Sequence, residues 1–148
     1  MEIRQMMPQD LDQVCAIEQE TFSKPWSRAS FQNAMEDPAN LYMVACEGQQ
    51  ILGYCGLWSV VGEGQISNVA VRRSCRGQGI GTKMLLEFLA LGKERGNQSF
   101  TLEVRKSNLA ARKLYERCGF QEEGVRKAFY EDPVEDGIIM WKREEERC

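Results

Sequence analysis

The sequence contains no histidine. A Ser-His-Asp triad, a Cys-His dyad, an H-E-x-x-H zinc site and the His-containing zinc fingers are therefore excluded. Any general base has to be a carboxylate, a lysine, a tyrosine or a water held by one of these. Long apolar runs are also missing, and none approaches the ~18 residues of a membrane-spanning helix. The stretch Met1 to Pro8 lacks the charged n-region and apolar h-region of a secretory signal. The six cysteines, Cys15, Cys46, Cys55, Cys75, Cys118 and Cys148, include no C-x-x-C pair. They are expected to be reduced thiols, mostly core fillers, in a cytoplasmic protein without membrane attachment. Positive charge is not in excess either. The net charge of −3 argues against a protein that coats nucleic acid by bulk charge, and no direct nucleic acid binding is expected. It is compatible with a basic peptide as substrate.

What is present fits one domain spanning 1–148. Of 148 residues, 43% are hydrophobic and 28% charged, enough to bury a core without metals or disulfides. No repeat, low-complexity segment or linker interrupts the chain. Ile3 to Met6 reads as a strand. Asp10 is a candidate cap for a helix to about Thr21, with Leu11, Val14 and Ile17 roughly on one face. Ser27 is a candidate cap for a short helix whose Phe31, Ala34 and Met35 recur at helical spacing, and which Pro38 ends. Three strands follow, Leu41 to Glu47, Ile51 to Val61 and Gln65 to Val71, separated by glycine turns. A helix to about Arg95 carries an apolar stripe of Ile80, Met84, Leu85, Phe88 and Leu89, and Gly96 suits its C′ position. Ser99 to Val104 reads as a strand, and Asn108 caps a helix that Gly119 ends. Phe120 to Ala128 and Ile138 to Lys142 read as a last strand pair, and Arg143 to Cys148 as a frayed end. The order is β-α-α-β-β-β-α-β-α-β-β, an α/β (α+β) mixture of about seven strands and four helices whose first half is mostly antiparallel.

One segment carries chemistry. Val69-Ala70-Val71 is followed by Arg76-Gly77-Gln78-Gly79-Ile80-Gly81-Thr82, so a strand runs into glycines and the glycines into a helix. Glycine lets backbone N–H groups approach a ligand, and a helix N-terminus adds unpaired donors and the positive end of a dipole. Together they make an anion site suited to a pyrophosphate. The bland alternative is a plain strand-to-helix turn. Two rival phosphate motifs fail. The Rossmann G-x-G-x-x-G fits Gly77 and Gly79 but meets Thr82, and a dinucleotide fold places this turn after its first strand. The P-loop needs Gly-Lys-Ser/Thr, whereas the chain reads Gly81-Thr82-Lys83.

What fits is an R/Q-x-x-G-x-G/A pattern, as Arg76-x-x-Gly79-x-Gly81. With it go Leu102-Glu103-Val104-Arg105, Asn108-x-x-Ala111-x-x-Leu114-Tyr115 closing on Gly119-Phe120, and Lys24-Pro25-Trp26-Ser27. By these blocks and its element order, the chain resembles the GNAT superfamily of N-acetyltransferases over nearly its whole length. Within that superfamily it resembles the RimI branch, the ribosomal-protein-alanine N-acetyltransferases. The resemblance implies acetyl-CoA as co-substrate and no metal. Val69 to Val71 would bind the pantetheine arm and acetyl group through their backbone. Arg76, Gly77, Gln78, Gly79, Ile80, Gly81 and Thr82 would hold the pyrophosphate, and Asn108 would contact the cofactor. Glu103 would be the general base and Tyr115 the general acid. The acceptor would be the N-terminal α-amine of a protein, a basic small-subunit ribosomal protein beginning with alanine.

The residues leave other roles open. Glu103 lies in an apolar strand between Leu102 and Val104, so its carboxylate faces either solvent or a cleft. Tyr115 could be a half-buried aromatic on the sheet, and Asn108 a helix cap as well as a cofactor contact. Trp26 and Tyr130 could line a substrate groove or belong to the core. The run Glu131 to Gly137 holds four carboxylates and reads as a solvated hairpin loop or as an acidic lip for a basic tail. At the level of function, a GNAT enzyme for a small-molecule amine or a lysine side chain is the alternative. A non-catalytic acetyl-CoA-binding module would have been free to drop Glu103 and Tyr115, and both are present.

Overall fold

A computed structural model describes residues 1–143. The elements are β1 (Glu2–Gln5), α1 (Leu11–Thr21), α2 (Arg28–Glu36), β2 (Asn40–Glu47), β3 (Gln50–Val60), β4 (Glu63–Val71), α3 (Ile80–Glu94), β5 (Ser99–Arg105), α4 (Leu109–Arg117), β6 (Gln121–Tyr130) and β7 (Glu135–Arg143). Short 3-10 turns at Pro8–Asp10 and Arg73–Cys75 introduce α1 and the glycine loop. The strands form one sheet in the order β1-β2-β3-β4-β5-β7-β6, in which only the β4–β5 pair is parallel. This is the expected mixed, mostly antiparallel sheet flanked by helices.

Strand β2 is apolar on both faces, which places a helical layer on each side. Leu41, Met43 and Ala45 join one core with Met84, Leu85 and Phe88 of α3 and Tyr115 of α4. Tyr42, Val44 and Cys46 join the other with Leu11, Val14 and Ile17 of α1 and Phe31 of α2. Each fully buried side chain of this size stabilises by roughly 1.5–3 kcal/mol. Gly56 has a specific reason to be glycine. It pairs with Tyr42 across β2 and β3, and a Cβ there would fall 2.0 Å from the tyrosine ring.

The expected helix ends are largely met. Ser27 Oγ accepts from Ser30 N, and Asn108 Oδ1 accepts from Ala111 N. Gly96 and Gly119 take the left-handed conformation just past α3 and α4. Asp10 departs from its expected role. It precedes α1, but its carboxylate turns back to accept from Met7 N (2.7 Å) and pairs with Arg4. The hairpin loop expected over 131–137 is also shorter, because Glu135, Asp136 and Gly137 already belong to β7. Cys46, Cys55 and Cys118 are buried and Cys15 and Cys75 half-buried, all as free thiols. Among the described residues no helix is long and apolar enough to cross a membrane. The segment beyond Arg143, read as frayed from the sequence, lies outside the described residues.

Candidate active site

The site begins with a defect in the sheet. Strands β4 and β5 pair only over Glu63–Gln65 with Ser99–Thr101 and then part. On its other edge β4 pairs Ile66 with Leu57 and Asn68 with Gly56, so Ser67 is an extra residue, a β-bulge. A bulge bends its strand, and here the bend coincides with the parting. The edge of β4 that faces β5 is thus left without a strand partner through Val69, Ala70 and Val71. The gap opens into a cleft of about 570 Å³.

At the far end of β4, Gly77 and Gly79 have φ of +79° and +81°, a region that other residues enter at a cost. A Cβ at either would meet no atom within 4 Å, so both face open space. Lys83 N, bonded to Gly79 O at 3.2 Å, is the first N–H of α3 with a helical partner. The N–H groups of Ile80, Gly81 and Thr82 are the free donors of the helix start. Backbone donors, open glycines and a dipole end fit the pyrophosphate expected here. Two members of the motif do something else. Arg76 turns inward, its Nε donating to Val71 O (2.9 Å) and its Nη2 to Thr21 Oγ1 (3.1 Å), so it braces the loop. Gly81 has Leu114 and Val71 at 3.3 and 3.5 Å from a would-be Cβ, so its small size lets α3 pack closely. Gln78 is exposed on the loop.

Glu103 and Tyr115 line the same cleft. On β5, Phe100, Leu102 and Val104 enter the α3–α4 core, so Glu103 emerges on the opposite face. Its side chain is 31% exposed, with Arg126 Nη1 3.6 Å from Oε1. Tyr115 comes from α4 on the core side, its ring edge-on to Phe120. Burial pushes its phenol well above the usual tyrosine range, so it stays protonated at any working pH. Asn108 caps α4 and also lines the cleft.

Two segments wall the side of the cleft onto which Glu103 emerges. Trp26, between α1 and α2, packs against Phe31 and Tyr42 with centroids 5.2 and 6.4 Å apart and also lines the cleft. Tyr130 ends β6, and burial, then the Glu103 carboxylate, pushes its phenol up to about 12. Trp26 packs against the core under α1 and α2 as well as lining the cleft, whereas Tyr130 lines the cleft and joins neither core.

Most of the acidic lip is engaged internally. Glu135 accepts from Ser107 N at 2.6 Å and pairs with Arg105. Asp136 accepts from Ala128 N at 2.9 Å. Glu131 is ion-paired with Lys24 of the opposite wall. These are structural pairings within the hairpin and its neighbours, so the lip offers far less free negative charge than four carboxylates would suggest.

Glu18, Asn68 and Arg105 also line the cleft, and the sequence assigns none of them a role. Glu18 is buried, accepting from Trp26 N (2.8 Å), from the Tyr54 hydroxyl and from Asn68 Nδ2 (3.4 Å). It thereby ties the Trp26 loop to the floor of the cleft. Its signal was available: Glu18 falls four residues after Val14 and seven after Leu11, on the apolar stripe of α1. Asn68, buried on β4, had no such signal. Arg105 was visible only as part of a motif, yet it joins β5 to both walls.

The family model "Acetyltransferase (GNAT) family" matches residues 11–120. A protein of Bacillus subtilis (strain 168), assigned provisionally as a [ribosomal protein bS18]-alanine N-acetyltransferase, is 39% identical over 94% of this chain and 93% of its own length. The [ribosomal protein bS18]-alanine N-acetyltransferase of Haemophilus influenzae is 34% identical over 93% of this chain and 95% of its own. Among solved structures, the ribosomal-protein-S18-alanine N-acetyltransferase from Escherichia coli superposes with a TM-score of 0.89. It is 30% identical and covers 99% of this chain and 96% of that one.

Proposed function

Because the chain belongs to the GNAT family of acetyl-CoA-dependent acetyltransferases, in its ribosomal-protein-alanine branch, we propose that it acetylates the N-terminal alanine of ribosomal protein bS18. The observation that carries this reading is the meeting of Glu103 and Tyr115 in one cleft, reached from the two faces of the sheet through the parting of β4 and β5. A cytoplasmic catalytic domain spanning the chain goes with it.

Bound acetyl-CoA supplies an activated acetyl thioester. The backbone of the loop from Arg76 to Thr82 holds the pyrophosphate, and the open edge at Val69 to Val71 aligns the pantetheine arm, with Asn108 beside it. A peptide α-amine has a pKa of ~7.7–8.0, so near neutrality it needs only modest help to lose its proton. Glu103 takes that proton, directly or through a water. A lysine side chain at ~10.4 would ask more of the same carboxylate. Tyr115 faces the leaving sulfur as a hydrogen-bond donor. An ordinary phenol lies ~1.5 units above a thiol, making full proton transfer uphill by roughly 2 kcal/mol, and burial of Tyr115 adds to that. Its part is thus to stabilise developing negative charge on sulfur, with solvent completing the protonation. Trp26 and Tyr130 flank the acceptor and leave room for a small first residue.

The test compares an alanine-starting peptide with the same peptide blocked at its N-terminus but carrying free lysines, with the acetyl group located by mass spectrometry. The expected result is modification of the α-amine alone. Equal transfer to the blocked peptide would make the enzyme a lysine or general amine acetyltransferase.

A further inference from the structure

Beside the cleft lies a second concavity, of about 450 Å³, on the bare part of the sheet. Helices α1 and α2 cover this face only over β2 to β4, and the core they build contains no residue of β5, β6 or β7. Four residues from adjacent strands stand in register across the uncovered part: Trp58 opposite Gln65, Gln65 opposite Thr101, and Thr101 opposite Trp141. Residues directly opposite one another project to the same face. Three strand spacings of about 4.8 Å place the two tryptophan backbones ~14 Å apart. The result is a trough with an indole at each side and short polar side chains between. Trp58 is 51% exposed, a high value for so large an apolar ring.

The trough and the cleft are continuous. Ile66, Ser67 and Glu103 line both, and Arg126, paired with Glu103, marks the passage between them. We propose that this trough holds the acceptor polypeptide beyond its first residue, in extended form, as it leaves Glu103. The inference rests on the acceptor being a polypeptide N-terminus, as argued above.

Elimination of the other exits supports it. An acceptor amine at Glu103 lies on the face opposite α3 and α4, the face on which the glycine cradle opens. At the level of Arg105, two residues beyond Glu103, Arg105 donates to Glu131 O (2.7 Å) and reaches Ser23 Oγ (3.5 Å). The Lys24–Glu131 ion pair joins the same two walls there. An open direction for the acceptor runs back along β5, from Glu103 towards Ser99, where the second concavity lies. That run of four residues is about 13 Å long at ~3.3 Å per residue, matching about four extended acceptor residues. Positions two to five of the acceptor would lie between Trp58 and Trp141, where aromatic faces pack against apolar or basic side chains.

The experiment uses an alanine-starting dipeptide and its eight-residue extension. The expected kcat/KM is about tenfold higher for the longer peptide, and Trp58→Ala removes about five- to tenfold of that advantage, the scale of a lost aromatic contact. The variant leaves the KM for acetyl-CoA and the rate on the short peptide unchanged, and Trp58→Phe retains the advantage. A second reading needs no turnover: an already acetylated form of the long peptide shifts the tryptophan emission of the wild type to the blue, and Trp58→Phe diminishes that shift. Absence of transfer with the shift retained counts against the proposed activity while upholding the trough. Equal kcat/KM for the two peptides, or no emission change, overturns the trough while leaving the activity standing.

Discussion

The guanidinium of Arg105 sits over the ring of Tyr130, 4.6 Å from its centroid, while its nitrogens donate to the carbonyl oxygens of Glu131 and Pro133 at 2.7 and 2.8 Å. One side chain thus fixes an aromatic wall of the cleft and the turn beyond it, two residues from Glu103 on the same strand. Only a planar fork serves two carbonyls and a ring at once.

Arg105→Lys is therefore not conservative. The acceptor KM is expected to rise about tenfold or more, because charge-assisted bonds of ~1.5–3 kcal/mol each are lost and the wall loosens. The KM for acetyl-CoA stays close to that of the wild type. Steady-state kinetics with each substrate varied in turn checks this, and an equal rise in both constants would mean that Arg105 supports the fold in general.

A second expectation concerns the glycine cradle. Gly79 has φ of +81° and open space where a side chain would begin. Gly79→Leu costs about 1–2 kcal/mol in backbone strain, which a folded domain survives, but fills the volume needed by the pyrophosphate. Calorimetry is expected to show acetyl-CoA binding lost while the thermal transition remains cooperative. Retained tight binding in the folded variant would place the pyrophosphate elsewhere.

Local features of this fold were legible in the sequence because their causes are local. The stripe on α3, the caps at Ser27 and Asn108 and the left-handed glycines each depend on a few neighbouring residues. Asp10 departs from the expected cap because an acidic residue before a helix has two local options, and Arg4, six residues earlier, favours the turn. The hairpin loop is shorter than the run of carboxylates suggests because the register of β6 on β7 draws Glu135 and Asp136 into the strand. The cleft itself depends on a bulge at Ser67 and on a parallel pairing that stops after three residues, both products of long-range strand order. Glu18 was legible as a charge on an apolar stripe, but its partners, Tyr54 and Asn68, lie 36 and 50 residues away.

The Arg4–Asp10 pair sets an acid limit on stability. Arg4, burial notwithstanding, and the Met7 N–H hold the Asp10 carboxyl below its ordinary range. A group depressed in the folded state contributes stability above its unfolded pKa of ~3.9, and that contribution disappears as the pH falls through its lower folded value. Asp10→Asn is expected to lower stability by about 1–3 kcal/mol at neutral pH. It should also make urea unfolding less dependent on pH below ~4. An unchanged pH dependence in the variant would assign acid sensitivity to other carboxylates. The exposed Lys24–Glu131 pair is a poor rival, because solvent and salt screen it.

The pH dependence of turnover separates the proposed roles of Glu103 and Tyr115. Burial disfavours the phenolate of Tyr115, raising its pKa, and Tyr130 is pushed up to about 12. Both phenols therefore keep their protons through the alkaline range. With wild-type enzyme, kcat/KM is expected to rise as the acceptor amine deprotonates near ~7.7–8.0 and then to stay level past pH ~10. A fall near pH 10 would reveal a tyrosine with an ordinary pKa at the site. Glu103→Gln keeps the shape of the side chain but removes the base, at a cost of roughly 10²–10⁴ in rate. Its deficit should shrink above the amine pKa, where the acceptor no longer needs a base. Tyr115→Phe also slows turnover, but by a factor that does not shrink with rising pH, because the stabilisation of the leaving sulfur is needed whatever the state of the amine. Parallel profiles for the two variants would place both residues in the same step and remove the distinction between base and thiolate stabiliser.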